Sequence, residues 1–247
     1  MDYNINAGIG TEKDADSVGD GLLQHNRAYL AWLDRIFARY PELVIENCSS
    51  GGMRMDYAML SRHSIQSTSD QENYVNYAAI AAASPSALTP EQSAIWSYPL
   101  REGDDEEVVF NMVNALLLRV HQSGHLAELS LRRRELVKEA LEYYKSIRHH
   151  IPQALPFWPL GLPKQQDEWI CLGLRHEDAT YLAVWRIHGE SAEISLSLPQ
   201  LQGKMLEIRC AYPQSFDCSW SWSEGEGFLK VTLPETKTAR LLEIELK

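Results

Sequence analysis

The sequence predicts an α/β segment followed by an all-β segment. Through residue 149, short apolar runs alternate with helical 3.6-residue patterns, the repetition of a parallel sheet or barrel. From about residue 165 the apolar period changes to two, as in the strands of an antiparallel sandwich. Between them, Pro152, Pro156, Pro159 and Pro163 mark a linker. The expected organisation is therefore an α/β domain over 1–150, a proline-rich connection over 151–164 and an antiparallel β domain over 165–247.

Taken in order, residues 1–4 read as a strand stub. Asp20 is placed to cap a helix whose apolar positions Leu22, Leu23, Tyr29, Leu30, Leu33, Ile36, Phe37 and Tyr40 share one face, and Pro41 ends it. Leu43, Val44 and Ile45 form a short apolar strand that runs into Glu46-Asn47-Cys48-Ser49-Ser50-Gly51-Gly52. A short helix is expected over 53–61, a strand over 63–67, an alanine-rich helix over 71–84 and a strand over 94–98. The acidic run Asp104-Asp105-Glu106-Glu107 suits the positive end of a helix dipole, so a helix is placed over 104–120. A strand over 124–129 and a charged helix over 132–149 follow. The β segment offers strands at 168–175, 180–187, 192–198, 205–212, 228–233 and 240–246, joined by turn signals such as His188-Gly189-Glu190.

Composition narrows the function. The net charge is −11, and both halves are acidic, so no basic face is available for a phosphate backbone. Neutral small molecules or other proteins are the expected partners, with no nucleic acid. No apolar run reaches the roughly 20 residues of a membrane helix, and the opening residues, with no basic and no apolar stretch, lead to the expectation of no signal peptide. The four cysteines, Cys48, Cys171, Cys210 and Cys218, form no C-x-x-C pair. They predict neither a metal site nor a disulfide framework, and the expected location is the reducing cytoplasm.

Three groups of residues could carry chemistry. Cys48-Ser49-Ser50-Gly51-Gly52-Met53-Arg54 fits a cysteine-phosphatase loop, where a thiolate attacks phosphorus while backbone N–H groups and the arginine hold the oxyanions. Asn47 and Met55 depart from that pattern, and the same residues also read as a buried thiol before a glycine-rich turn. Asp70, at the end of a strand, reads either as the N-cap of the helix after it or as a general acid/base, which requires a second carboxylate. Asp2 with Asn4 means little in isolation.

In order along the chain these pieces are more specific. Asp2-Tyr3-Asn4, the helix with His25-Asn26-Arg27, Tyr40-Pro41-Glu42-Leu43, Glu46-Asn47-Cys48-Ser49-Ser50-Gly51-Gly52-Met53-Arg54-Met55-Asp56 and Ser69-Asp70 together resemble glycoside hydrolase family 36, the melibiase-type α-galactosidases. The resemblance runs from residue 2 to about 150 and extends to an antiparallel C-terminal domain. It implies the C-terminal half of a (β/α)8 barrel, strands four to eight, followed by a β-sandwich, with no cofactor and no metal.

It also implies roles by position. Asp2 matches the nucleophile and Asp70 the acid/base of a retaining mechanism that releases terminal α-D-galactose from melibiose- or raffinose-type oligosaccharides. Asn4, Cys48 and Gly51 match positions lining the sugar pocket. A retaining enzyme needs two carboxyl groups about 5–5.5 Å apart across the sugar, which two strand ends on one rim can supply. Met1 stands directly before Asp2, so the family's lysine two residues ahead of the nucleophile has no counterpart, and Ser67 stands where the family commonly has Trp. The expected state is an N-terminally truncated chain, inactive by itself and prone to pair with a second copy through its open barrel edge. A non-catalytic remnant and a phosphatase using Cys48 and Arg54 are the alternative readings.

Overall fold

The computed structural model describes residues 1–4, 7–177 and 179–247, and they fall into two compact units, Met1–Thr68 and Ser69–Lys247.

The first unit is built around a 20-residue helix, α1 (Asp20–Arg39), and two short parallel strands, β1 (Glu46–Asn47) and β2 (Ile65–Ser67), with a single helical turn, α2 (Tyr57–Leu60), between them. Gly19 at φ +87° occupies the cap position of α1, so Asp20 opens the helix rather than capping it. Pro41 ends α1 as expected, but the strand begins only at Glu46. The apolar run Leu43–Ile45 lies ahead of it, and Leu43 and Val44 are exposed. Asp56 caps α2, its carboxylate accepting from the Met59 N–H at 3.1 Å. In β1 and β2, Asn47 lies opposite Gln66, and their buried amides bond at 2.6 Å. Asn47 also donates to the Arg54 carbonyl at 3.1 Å.

The second unit begins with α3 (Tyr74–Ala83), β3 (Ser93–Ser97), α4 (Asp105–Leu116), β4 (Arg119–Gln122) and α5 (Leu131–Ile147). Strands β3 and β4 pair in parallel. The strand expected over 124–129 lies instead at Arg119–Gln122, and Leu126–Glu128 is a 3-10 turn. Asp104 caps α4, accepting from Glu107 N–H at 2.8 Å, which agrees with the acidic run as a helix start.

The rest is antiparallel. Strands β5 (Leu155–Phe157), β6 (Trp169–His176), β7 (Ala179–Arg186), β12 (Thr238–Leu246) and β9 (Leu206–Tyr212) form one sheet in that order. Strands β10 (Ser219–Ser223), β11 (Phe228–Thr232) and β8 (Glu193–Ser197) form a second. Strict alternation divides the five-stranded sheet between two cores. Leu172, Leu174, Tyr181, Ala183, Trp185 and Leu241 pack with the helices, whereas Cys171, Leu182, Val184, Leu242 and Ile244 pack with Leu196, Leu229 and Val231 of the three-stranded sheet. Helices α4 and α5 are also tied to β12 by Arg240–Glu106 at 2.6 Å and by the Tyr143 hydroxyl donating to Glu243 at 3.0 Å. The compact units therefore divide after Thr68 and not at the prolines: the stretch expected as a linker supplies β5, Pro156 included, to the sheet that is the floor on which the preceding helices rest.

Candidate active site

The first four residues lie beside β1. The Met1 ammonium donates to the Glu46 carbonyl, and the Met1 carbonyl accepts from the Cys48 N–H at 3.0 Å. This pair of bonds flanking Asn47 is how a parallel strand attaches to its neighbour. It brings Asp2, Tyr3 and Asn4 to the loop that leaves β1.

That loop is unusual in its backbone. Ser49, Ser50, Gly51 and Gly52 all have positive φ, at 75°, 50°, 70° and 142°. Successive turns of this hand aim neighbouring N–H groups at one point, an anion-holding nest. Here the occupant is Asp2, whose Oδ1 accepts from Ser49 N at 3.0 Å and Ser50 N at 3.3 Å. Asn4 donates to the other Asp2 oxygen and to Ser50 Oγ, both at 3.4 Å. At Gly52 an added Cβ would stand 3.2 Å from the Thr68 carbonyl, so the loop passes close to the end of β2.

Tyr3 fixes the segment from the other side. Its carbonyl accepts from Ser49 Oγ at 2.5 Å and Arg54 Nε at 2.6 Å, while the Arg54 guanidinium sits 4.1 Å above its ring. The Tyr3 hydroxyl bonds to His25 Nε2, and its ring stacks on Tyr29 at 4.7 Å. Burial pushes the Tyr29 hydroxyl above its ordinary pKa, and the charge of Arg54 opposes it. A cleft of about 350 Å³ opens here, lined by Tyr3, Asn4, Leu22, His25, Asn26 and Arg54 among others.

The structure thus brings together Asp2, Asn4, Cys48 and Gly51. Asp70 belongs to the second unit, exposed in the loop before α3. It does not cap that helix. Asn73 does so, its Oδ1 accepting from Val75 and Asn76 N–H at 3.0 and 3.1 Å, and α3 starts three residues later than the pattern predicts. The N-cap reading of Asp70 is therefore overturned.

Ser49, Ser50 and Tyr3 were not singled out by the sequence, because two act through backbone N–H groups and one through its carbonyl and ring. The same contacts weigh against phosphatase chemistry. The N–H groups that would cradle phosphate point at a carboxylate, and Arg54 holds Tyr3.

No protein-family model and no curated protein sequence matches the chain. Solved structures do. The galactosidase domain of the α-galactosidase–sucrose kinase AgaSK superimposes with a TM-score of 0.68 at 19% identity, over 88% of this chain and 31% of that one. The family 36 α-galactosidase AgaA of Geobacillus stearothermophilus, solved with raffinose, gives 0.67 at 17%, over 87% and 30%. The α-galactosidase of Lactobacillus brevis gives 0.67 at 15%, over 87% and 30%. The chain has the fold of the C-terminal part of family 36 α-galactosidases. It spans about three-tenths of their length. A maltogenic α-amylase of Thermotoga neapolitana, at 0.58 and 11% identity, is a more distant likeness.

Proposed function

We propose that the chain carries the nucleophile-bearing half of a retaining α-galactosidase barrel, with Asp2 as nucleophile and Asp70 as acid/base, and that the β-sandwich after it braces the barrel helices. The observation that carries this reading is the seating of Asp2. A carboxylate that attacks an anomeric carbon must be ionised and held still within about 3–3.5 Å of its target. Two N–H donors fix one of its oxygens, and among the described residues the second has only the long contact from Asn4. Asn4, Cys48 and Gly51 would line the galactose pocket, and the substrate would be a small α-galactoside of the raffinose type.

The chemistry then takes two steps. Asp2 displaces the leaving oxygen while Asp70 protonates it, giving a covalent glycosyl–enzyme. Asp70 next deprotonates a water that releases the sugar with its configuration retained. The test is turnover by this chain together with the barrel half that such enzymes place before it. Retained configuration at the released galactose, read by NMR, is expected. Asp2→Ala should abolish turnover of every substrate, whereas Asp70→Ala should spare the first step for aryl galactosides, whose leaving groups need little protonation. An inverted product, or equal loss of that step in both variants, would sink the assignment.

A further inference from the structure

We propose that Cys210 and Cys218 form a redox-active dithiol that a small-molecule disulfide converts into an intramolecular bond, stapling the edge of the five-stranded sheet to the three-stranded sheet. The inference does not depend on the glycosidase reading.

It rests on where the two side chains enter the fold. Strand β9 points Leu206, Ile208 and Cys210 into the core shared by the two sheets. An irregularity opposite Leu241 and Leu242 then turns Ala211 and Tyr212 toward the helix-side core. A five-residue loop over 213–217 crosses to the other sheet, and Cys218 directly precedes β10 and packs on the same core as Cys210. The two thiols enter that core from different sheets, close enough to influence each other's ionisation. The Cys210 thiol also lies 3.4 Å from the Pro213 carbonyl and 3.7 Å from that of Tyr212. Both are half-buried, open to a small oxidant, whereas Cys171 is sealed.

The two thiols differ in reactivity. The interaction with Cys218 and the charge of Arg240 hold Cys210 below the usual thiol range despite its burial. The same interaction, with burial, pushes Cys218 up. Cys210 is therefore the attacking sulfur. Its thiolate adds to one sulfur of oxidised glutathione and expels a glutathione thiolate, leaving a mixed disulfide. The Cys218 thiol gives its proton to that thiolate, attacks Cys210 Sγ and expels the second glutathione. The protein loses two electrons and two protons, and one disulfide becomes two thiols.

The bond would close the loop over 213–217. Arg132 donates to Ser215 Oγ at 2.7 Å, and Arg240 lies 5.2 Å over the Phe216 ring. Ser215, Phe216 and Asp217 form one wall of a cleft of about 690 Å³ between α4 and the β11–β12 turn. Oxidation would fix that wall.

The test uses the full chain, folded, equilibrated with mixtures of oxidised and reduced glutathione, acid-quenched, denatured, alkylated and cut with trypsin. Residues 210–230 leave as one peptide holding both cysteines. With rising oxidant this peptide should become lighter by two hydrogen atoms and lose both alkylation sites, while Cys171 stays alkylatable. In Cys218→Ser, oxidation should stop at a glutathione adduct on Cys210. Separate adducts on the two cysteines, a bond to Cys48 or between molecules, or a dithiol that stays reduced at every ratio in the folded chain would each overturn the proposal.

Discussion

Ser49 and Ser50 hold a backbone conformation that side chains resist, at about 1–2 kcal/mol for each non-glycine residue. Serine is tolerated here because its bonds return part of that cost: Ser49 Oγ donates to Tyr3, and Ser50 Oγ accepts from Asn4. A β-branched residue at Ser49 would add crowding at positive φ and lose the bond. Ser49→Val should therefore destabilise the first unit by about 2–3 kcal/mol, read as lost amide-exchange protection in β1 and β2. Asn47→Ala should cost about 1–3 kcal/mol by the same readout, since it deprives the buried Gln66 carbonyl of its donor. At this scale the sequence was half legible. Asp2, Cys48 and Gly51 could be named because their side chains, or the lack of one, form part of an ordered pattern. The occupant of the nest could not: the glycine-rich run suggested backbone donors for an anion, but that they hold the Asp2 carboxylate depends on φ values and on a contact between residues far apart in the chain.

Elements were legible wherever an apolar period is long. The helix over 132–149 and the strands over 168–175 and 180–187 each lie within a residue or two of α5, β6 and β7. The strands missed were short. β4 has four half-buried residues with no alternation and is defined by β3 beside it, while β10 was unmarked although Trp220 and Trp222 alternate with serines. Glycines show how tightly these elements are set. Gly173 lies opposite Phe157, and an added Cβ would fall 2.3 Å from the Phe157 ring, so Gly173→Ala should release β5 from the sheet edge, seen as faster exchange over 155–157. A Cβ at Gly103 would stand 2.4 Å from the Glu107 carboxylate and 2.8 Å from Arg133, which form a buried pair at 2.9 Å. Gly103→Ala should cost about 1–3 kcal/mol in urea unfolding by forcing that pair apart. Acid should weaken the end of the sheet where His150 stacks on His176 at 4.2 Å and touches His149 at 4.1 Å. Burial, then the charges of His176 and His149, hold the His150 pKa below its ordinary value, opposed by Glu177 and Glu243. The unfolded chain therefore takes up the proton first, and stability should fall as pH drops through the ordinary histidine range near about 6.5 and level off below the folded value. His150→Gln should flatten that slope between about pH 7.5 and 5.

At the scale of the whole molecule, the order of the segments was legible, because a change of apolar period shows in any sequence. Which segments share a core was not, because that depends on which face of a sheet each side chain meets. The two units differ sharply in what they bury. In Met1–Thr68, Leu33 is the one buried residue of α1, while Leu22, Leu23, Trp32, Tyr40, Leu43, Val44 and Tyr57 are exposed. In Ser69–Lys247, almost all of α4 is buried and two contiguous cores run on either side of the five-stranded sheet. Stability follows buried apolar area at about 25 cal/mol per Å², so local opening should concentrate in the first unit. Limited trypsin digestion of the full chain should cut first after Arg27, Arg35 or Arg39. The resistant fragment should start close to residue 69. A fragment starting near residue 165 would mean that the helices detach from the sheet, which requires separating Tyr143 from Glu243 and Glu106 from Arg240 and exposing Phe110, Leu116 and Leu136, all at 0% accessibility. Burying each such side chain contributes roughly 1.5–3 kcal/mol. Three of them already approach the lower end of a domain's net stability of about 5–15 kcal/mol, so helices and sheet should survive or unfold as one body.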